Sequence, residues 1–318
     1  MKTATLLLLA TLVLTCGGKT AKIFYINSYH VGYGSSDEIM AGIDEILADE
    51  VVELEKFIMD SKRNPDEEYL QRKASEAVER IETLQPDVIL ASDDNAVKYI
   101  IAPYFKDGPV PVLFCGVNWS CEPYGLPSEY VTGMLEVLPV EEIISTLQEY
   151  YPRARTMTVI SENSHSERKN REFLDPLYRR LGLQVSYALV NTFDEWKTAF
   201  VRANEESDLV FFITNGAIKD WDDNIAKVFA EKKTRKPVFT VEDFIMPYAV
   251  IGFTKVAREQ GQWVARKALD LVNGCDIADI ELTQNRRTAR YINLKLARKI
   301  GFHPSVELLN ECVKVDYQ

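Results

Sequence analysis

Two hydrophobic patterns alternate along the 318 residues of the chain. Short runs of apolar and β-branched residues predict β-strands, and longer stretches with apolar residues every three or four positions predict amphipathic helices. The stretch 66–83 has the helical pattern, with Leu70, Ala74 and Ile81 on one face. The strand-like runs are KIFYI (22–26), VELEKFI (52–58), DVILA (87–91), PVLFCGV (111–117), TMTVI (156–160), LQVSYALV (183–190), DLVFFIT (208–214) and PVFTV (237–241).

Strands that alternate with helices are typical of parallel sheets covered by helices on both faces. The runs form two series, and the segment between them, 118–133, contains two prolines and two glycines. This composition predicts a crossover between domains. Further along the chain, the pattern predicts a strand at 248–253, a helix at 256–272, a strand at 287–293 and a helix at 294–300. The predicted fold class is therefore α/β, with two doubly wound parallel-sheet domains.

The charge of the chain narrows the function classes. Its formal net charge is -11 and its pI is about 5.0. A nucleic-acid-binding protein normally presents a basic face, so we expect no nucleic-acid partner. The 46% hydrophobic content is that of an ordinary globular protein, which folds without a metal or a disulfide.

The first 18 residues have the features of an export signal. Lys2 supplies a positive charge, and the apolar run 6–14 is too short to span a bilayer. The run ends in VLTCG, which resembles the bacterial lipoprotein signal, where the cysteine, here Cys16, becomes the lipidated N-terminus. Thr15 replaces the small residue usual before that cysteine, so ordinary secretory cleavage stays open as an alternative. In both cases we expect an exported protein, in the periplasm or at the cell surface, with Cys16 as its lipid anchor in the first case.

Four more cysteines follow, at positions 115, 121, 275 and 312. An oxidising compartment would allow Cys115 and Cys121 to form a disulfide. The alternative is that these cysteines are small, buried apolar residues. Their spacing leaves both alternatives open.

Polar and aromatic residues cluster where the predicted strands end, which is where open parallel sheets bind ligands. Many of them are favoured helix N-caps, so capping alone explains much of the pattern. Capping does not account for the bulky Tyr29, His30 and Trp119. It also does not account for the adjacent acids at 93–94 and 242–243. These features predict a pocket for a small polar molecule with a planar or apolar body.

Catalytic and metal-binding motifs are missing from the sequence. The only glycine-rich candidate for a phosphate, at 32–34, lacks the third glycine of a dinucleotide fingerprint. The three histidines are scattered, no cluster has metal-ligand spacing, and no nucleophile lies beside the paired acids. We therefore predict no enzymatic activity, no cofactor and no metal.

Several longer segments together resemble one family, the type I periplasmic substrate-binding proteins of ABC transporters. More narrowly, the chain is similar to the bacterial subfamily that includes tryptophan- and other aromatic-amino-acid-binding lipoproteins. The resemblance covers nearly the whole mature chain and depends on the order and spacing of its segments. These segments are LQPDVILASDDNAVKYI, PVPVLFCGVNWS, YVTGMLE, ITNGAIKDW, FTKVAREQGQWVARKALDLVNG and RYINLKLARKIGF.

The resemblance implies two lobes joined by three crossovers, with a ligand bound between the lobes. We expect the crossovers near 118–134, 245–255 and 281–290. The first lobe would then comprise 21–118 and 250–281, and the second lobe 134–245 and 287–318. Closure about these hinges would bury the ligand.

The resemblance also implies which residues face the ligand. In amino-acid-binding relatives, serine and amide groups hold the carboxylate and an acid holds the ammonium. That acid would be Asp243 here, and Trp119 or Tyr29 would stack on the ligand. The remaining candidates are His30, Ser92, Asp93 and Asn118 in the first lobe, and Ser161, Glu162, Ser164 and Asn215 in the second.

The expected partners are a small-molecule ligand and an ABC permease, which the protein would serve as a monomer held at the membrane only by its lipid anchor. A receptor subunit that signals through a membrane sensor kinase or cyclase would have the same pocket, so this alternative stays open. Amino acids are the leading ligand class, and a nucleoside or a sugar would use many of the same groups.

Overall fold

The computed structural model describes residues 20–315. The predicted export signal and lipidation site at Cys16 lie outside these residues and stay predictions. The strands within 20–315 are β1 (Ala21–Asn27), β2 (Val52–Ile58), β3 (Val88–Ser92), β4 (Val112–Asn118), β5 (Val131–Glu136), β6 (Thr156–Glu162), β7 (Gln184–Val190), β8 (Leu209–Phe212), β9 (Val238–Thr240), β10 (Ile251–Lys255), β11 (Thr283–Gln284), β12 (Thr288–Asn293) and β13 (Val313–Val315).

Helices connect most of these strands. The α-helices are α1 (Gly34–Leu47), α2 (Glu67–Leu84), α3 (Asp93–Ala96), α4 (Val140–Tyr150), α5 (His165–Arg180), α6 (Phe193–Glu206), α7 (Asp223–Lys233), α8 (Ala257–Val272), α9 (Leu294–Ile300) and α10 (Val306–Glu311). A π-helix, Val97–Phe105, continues α3 and contains Pro103. Short 3-10 turns lie at Glu122–Tyr124, Asp243–Tyr248 and Ile277–Asp279. None of the helices in 20–315 is both long enough and apolar enough to cross a membrane.

The strands form two sheets. The first has the order β11-β5-β4-β3-β1-β2, with all neighbours parallel. The second has the order β13-β12-β10-β9-β8-β6-β7, and only β10 and β12 are antiparallel. Every residue of β3 and β4 is buried, because helices cover both faces of the first sheet. Such strands are near-continuous apolar runs in the sequence, and the predicted pair of doubly wound α/β sheets is confirmed.

The chain changes sheets later than the sequence predicted at two of the three crossovers. The first crossover is predicted near 118–134, but the chain returns to the first sheet as β5 and leaves it only after Glu136. Residues 250–255 were assigned to the first lobe, whereas β10 pairs with β9 and β12 in the second sheet. The sequence obscured this point because a single residue, Val256, separates β10 from α8.

Helix α8 belongs to the first lobe because its backbone packs directly against α1. A Cβ atom placed on Gly261 would lie 1.9 Å from the carbonyl oxygen of Ile39. One on Gly42 would lie 2.4 Å from the carbonyl oxygen of Arg258. No side chain fits at these distances, so both glycines are needed for the close crossing of the two helices.

The cysteines at 115 and 121 are free, buried thiols, in agreement with the second of the two alternatives. Burial raises the pKa of the Cys115 thiol well above its ordinary value.

Candidate functional site

The carboxyl ends of the two parallel sheets face each other, and the loops that follow the strands enclose two spaces between the lobes. The inner chamber has a volume of about 20 Å³ and is lined by side chains that include Tyr33, Asp93, Asn118, Glu136 and Glu242. This volume accommodates a water molecule but no organic solute. The mouth cavity, of about 740 Å³, lies further out and is also lined by both lobes. Tyr29 and Lys62 contribute to both spaces.

An ion pair between Lys62 and Glu162 connects the lobes. Lys62 follows β2 in the first lobe, and Glu162 ends β6 in the second. Their side chains are only 3% and 0% exposed. Burial lowers the pKa of Lys62, but the charge of Glu162, together with smaller contributions from Tyr29, Glu167 and the hydrogen bond to Glu162, raises this pKa above its ordinary value. The second oxygen of Glu162 accepts a hydrogen bond from the amide of Ala217 at 2.7 Å, so the buried carboxylate is satisfied on both sides.

A second buried ion pair connects the lobes through helix α5. Lys169 Nζ lies 2.6 Å from Asp94 Oδ1 and 2.9 Å from the carbonyl oxygen of Ser120. Tyr124 donates to the same Asp94 oxygen at 2.7 Å. Asn118 Nδ2 donates to the other oxygen, also at 2.7 Å. Asp94 therefore joins the first-lobe loops to a lysine of the second lobe.

Three charged groups meet next to the crossovers. Lys255 Nζ lies 2.5 Å from Glu136 Oε1 and 2.8 Å from Glu242 Oε1. Gln260 donates to the other oxygen of Glu136 at 2.9 Å. Burial, opposed by the charge of Lys255 and reinforced by that of Glu136, raises the pKa of Glu242 to about 8. The raised pKa means that Glu242 binds a proton more readily than an exposed glutamate does.

Two more buried acids lie at the inner chamber. Burial and then the charge of Glu136 raise the pKa of Asp93 well above its ordinary value, and its Oδ2 has no hydrogen-bond partner in the part of the chain that the structure describes. Asp93 has a φ of 68°, a left-handed conformation that aspartate tolerates better than bulkier residues. Burial and then Glu162 raise the pKa of Glu167 to about 7. Glu167 accepts hydrogen bonds from Ser161 at 2.7 Å and from Asn170 at 2.9 Å.

Aromatic rings from the loop after β1 cover the Lys62 ammonium. It lies 4.5 Å from the ring centroid of Tyr29 and 4.6 Å from that of Tyr33, within cation–π range. The Tyr33 hydroxyl is 3.1 Å from Thr214 Oγ1 in the second lobe, and its ring packs edge-on against Phe244. The aromatic loop therefore reaches across the cleft.

Trp119 also crosses between the lobes. Its indole Nε1 donates to Asn170 Oδ1 at 2.8 Å, and its ring stacks on Phe173 with centroids 6.0 Å apart. Trp119 has a φ of 60°, which costs a bulky residue about 1–3 kcal/mol. This backbone conformation directs the indole toward the second lobe instead of into the first-lobe core.

The predicted site residues fall into two groups. Those that line a cavity or connect the lobes are Tyr29, Asp93, Asn118, Trp119, Glu162 and Ser164. The others are His30, Ser92, Ser161, Asn215 and Asp243.

The residues of the second group neither line one of the two spaces nor connect the lobes. The Ser92 hydroxyl pairs with Tyr25 in the core at 2.9 Å, and that of Ser161 donates to Glu167. His30 Nδ1 lies 3.6 Å from Asp60, and Asn215 lines neither space.

Asp243 is exposed, and its Oδ1 accepts a hydrogen bond from the backbone of Phe244. The acid that faces the inner chamber is its neighbour Glu242. The assignment of the cleft acid to Asp243 therefore disagrees with the geometry.

Sequence reasoning missed the lysines. Lys62 follows the carboxyl end of β2, and the same strand-end rule applied to VELEKFI would have found it. Lys169 lies on α5, and Lys255 ends a strand that was predicted in the wrong lobe. Neither carries a signal that distinguishes it from a solvated lysine. Among the described residues, no group of His, Cys, Asp or Glu is arranged to hold a metal ion.

Comparisons with solved structures agree with this fold. The L-tryptophan complex of a domain from Streptococcus pneumoniae superposes with a TM-score of 0.74 at 17% identity, covering 93% of this chain and 99% of that one. A conserved domain protein from Vibrio cholerae gives a TM-score of 0.75 at 16% identity, with the same coverage. A ligand-free, open substrate-binding protein with adhesive properties from Clostridium difficile gives 0.64 at 16% identity, covering 94% and 100%.

A search of curated proteins found no significant match. The model of one protein family, described as ABC transporter substrate binding protein, matches residues 28–316, which is nearly the whole described chain. With two doubly wound lobes facing each other across a polar cleft, the chain belongs to the ABC transporter substrate-binding protein family.

Proposed function

We propose that the protein captures a small organic solute between its two lobes, outside the cytoplasmic membrane, and delivers it to an ABC permease. The observation that carries this proposal is the mouth cavity, because both lobes line it and its volume of about 740 Å³ suits a small organic ligand. Family membership makes the chain a binding protein, not an enzyme, and implies a permease as its partner. Amino acids are the leading ligand class, since one structural neighbour is an L-tryptophan complex.

The lobe contacts explain how capture would be coupled to delivery. Separation of the lobes would widen access to the space between them and would break the Lys62–Glu162 and Lys169–Asp94 pairs. A ligand that contacts both lobes then favours the closed form by its extra affinity for that form. Of the predicted site residues, Tyr29 and Ser164 line the mouth cavity from opposite lobes, and we propose both as ligand contacts.

A thermal-shift screen against amino acids, nucleosides, sugars and organic acids tests the proposal. A solute that binds only the folded protein stabilises it and so raises its melting temperature. At a hundredfold excess over Kd, the free energy of unfolding increases by about 2.7 kcal/mol. We expect a positive shift from one chemical class and, with that solute, a smaller radius of gyration in X-ray scattering. A solute that raises the melting temperature without reducing the radius of gyration would contradict capture between the lobes.

A further inference from the structure

The lining of the mouth cavity has an excess of cationic side chains, although the protein as a whole is acidic. The chain has a net charge of -11, yet five cationic side chains line this cavity and only two carboxylates, Glu67 and Asp220, accompany them. A cationic cleft in an acidic protein concentrates anions locally. The five cationic residues are Lys62, Arg63, Lys98, Arg168 and Lys219.

Three of these cations form no direct ion pair with a carboxylate within residues 20–315, although Lys98 is linked to Glu67 through the Tyr99 hydroxyl. Lys98 Nζ lies 3.1 Å from the Tyr99 hydroxyl, and Arg168 Nη1 donates to Asn163 Oδ1 at 2.8 Å. Lys219 has no side-chain hydrogen bond or ion pair with a described residue. By contrast, Lys62 pairs with Glu162, and Arg63 pairs with Asp60.

The unpaired cations come from both lobes. Lys98 belongs to the first lobe, while Arg168 and Lys219 belong to the second. Closing the lobes brings like charges toward one cavity, which opposes closure unless an anion lies between them. A lysine on the open surface does not affect lobe closure in this way. Lys98, Arg168 and Lys219 differ from such surface charges because all three line the same cavity.

Neutral groups in the same cavity suit an anionic ligand. Ser164 caps the N-terminus of the 16-residue helix α5, whose amide end is oriented toward this cavity. Burial, with the charge of Lys98 as the next cause, lowers the pKa of His165, so its imidazole is neutral at pH 7. The His165 Nε2 is buried and has no protein partner among the described residues, which leaves it available to a ligand.

We propose that the solute bound in the mouth cavity is an organic anion carrying a carboxylate or phosphate group, held by Lys98, Arg168 and Lys219. This inference rests on the proposed function and narrows its ligand class. A cavity of about 740 Å³ is far larger than an inorganic ion requires, so the charged group must belong to a larger body. A carboxylate and a phosphate would use the same cations, and the experiment separates them.

The experiment compares solutes that have nearly the same shape but differ in charge. The pairs are L-glutamate with L-glutamine and adenosine monophosphate with adenosine, and L-tryptophan, a zwitterion without net charge, is the reference. Calorimetric titration at low and high salt should show that the anion of one pair binds at least about tenfold more tightly than its neutral counterpart. The affinity of that anion should fall as salt increases. A preference within the glutamate pair would identify a carboxylate as the bound group, and a preference within the adenosine pair would identify a phosphate.

Substitutions locate the site. Lys98→Gln, Arg168→Gln and Lys219→Gln should each weaken binding of the responding anion by about tenfold and reduce its salt dependence. Lys232→Gln is the matched control, because it removes the same charge from an exposed position on α7 outside both spaces. Affinity that is unchanged in all three cavity variants would overturn the assignment of the site.

The outcomes also separate this inference from the proposed function. Neutral solutes that bind as tightly as the anions would overturn the anion inference. L-tryptophan binding with lobe closure, and no binding of any anion, would leave the proposed function intact while overturning the inference. If no solute of the panel binds, the inference fails, and the wider screen decides the proposed function.

Discussion

The inner chamber and the mouth cavity lie side by side between the same two lobes, but their charges are arranged differently. In and beside the inner chamber, Lys62, Lys169 and Lys255 are buried and each contacts at least one carboxylate. In the mouth cavity, Lys98 and Lys219 lack such partners among the described residues. The inner chamber has space for a water molecule, and the mouth cavity has space for a solute.

This difference suggests that the two spaces have different functions. Buried ion pairs contribute little net stability because desolvation offsets their attraction, but leaving one partner alone is costly. The inner pairs therefore specify one closed arrangement of the lobes, in which each of these three buried lysines contacts a carboxylate. The unpaired cations of the mouth cavity are available to bind a ligand. Three predictions test this comparison, in order of decreasing effect.

The largest effect is expected from Lys62→Ala. It leaves Glu162 buried without its cation, which costs about 3–5 kcal/mol in the closed arrangement. Separating the lobes hydrates the carboxylate, so we expect the ligand-free variant to populate the open form more than the ligand-free wild type does, while each lobe stays folded. X-ray scattering should show a larger radius of gyration than that of the wild type.

The double variant Lys62→Met with Glu162→Gln is the control for this effect. It removes both charges and keeps side chains of similar length, so it should restore the wild-type radius of gyration. An unchanged radius in Lys62→Ala would show that this pair does not hold the lobes together.

The second prediction concerns how the free energy of unfolding depends on pH when the inner-chamber residue Glu167 is replaced. Its pKa is raised from 4.5 to about 7 in the folded protein, so its contribution to stability is fully present below pH 4.5 and is lost as pH rises through 7. The loss amounts to about 3 kcal/mol. Glu167→Gln stays neutral and can still bond with Ser161 and Asn170. The free energy of unfolding of the variant, relative to wild type, should therefore rise by this amount between about pH 4.5 and pH 8.

Denaturant unfolding at a series of pH values measures this difference. The raised pKa of Glu242 is common to both proteins and cancels in the comparison. Parallel pH profiles for the two proteins would mean that Glu167 is already ionised and hydrated in the folded state.

The smallest effect is expected in the mouth cavity. Lys219 is exposed and unpaired within the described chain, so Lys219→Ala should change the free energy of unfolding by less than about 0.5 kcal/mol. Chemical denaturation without ligand provides the measurement. A loss comparable to that of Lys62→Ala would remove the distinction between the two spaces.

The sequence predicted the fold well because buried parallel strands are apolar runs. It also predicted residues that line the spaces between the lobes, Tyr29, Asp93 and Asn118, because they follow strand ends; their contact with a ligand stays a prediction. It could not identify the partner of each charge. Lys169 and Asp94 are 75 residues apart and meet only through the contact between the lobes.

The misassignment of Asp243 has a simple geometric cause. Successive side chains at the end of an extended segment point in opposite directions. The side chain of Glu242 is buried at the inner chamber, whereas that of the next residue, Asp243, is exposed to solvent. Pattern alone cannot choose between two adjacent acids.

The packing of α8 on α1 has a consequence for the order in which the protein can fold. Five of the six strands of the first sheet precede residue 137, but α8, which covers one face of this sheet, ends only at Val272, and the last strand, β11, follows it. At a synthesis rate of about 5–20 residues per second, this helix is completed roughly 7–27 s after β5. Until then Ile39 and Ile43 lack their partners on α8, and the first lobe keeps an apolar surface uncovered. Neither lobe can therefore be completed before the chain has passed through the other, and both must mature as one unit.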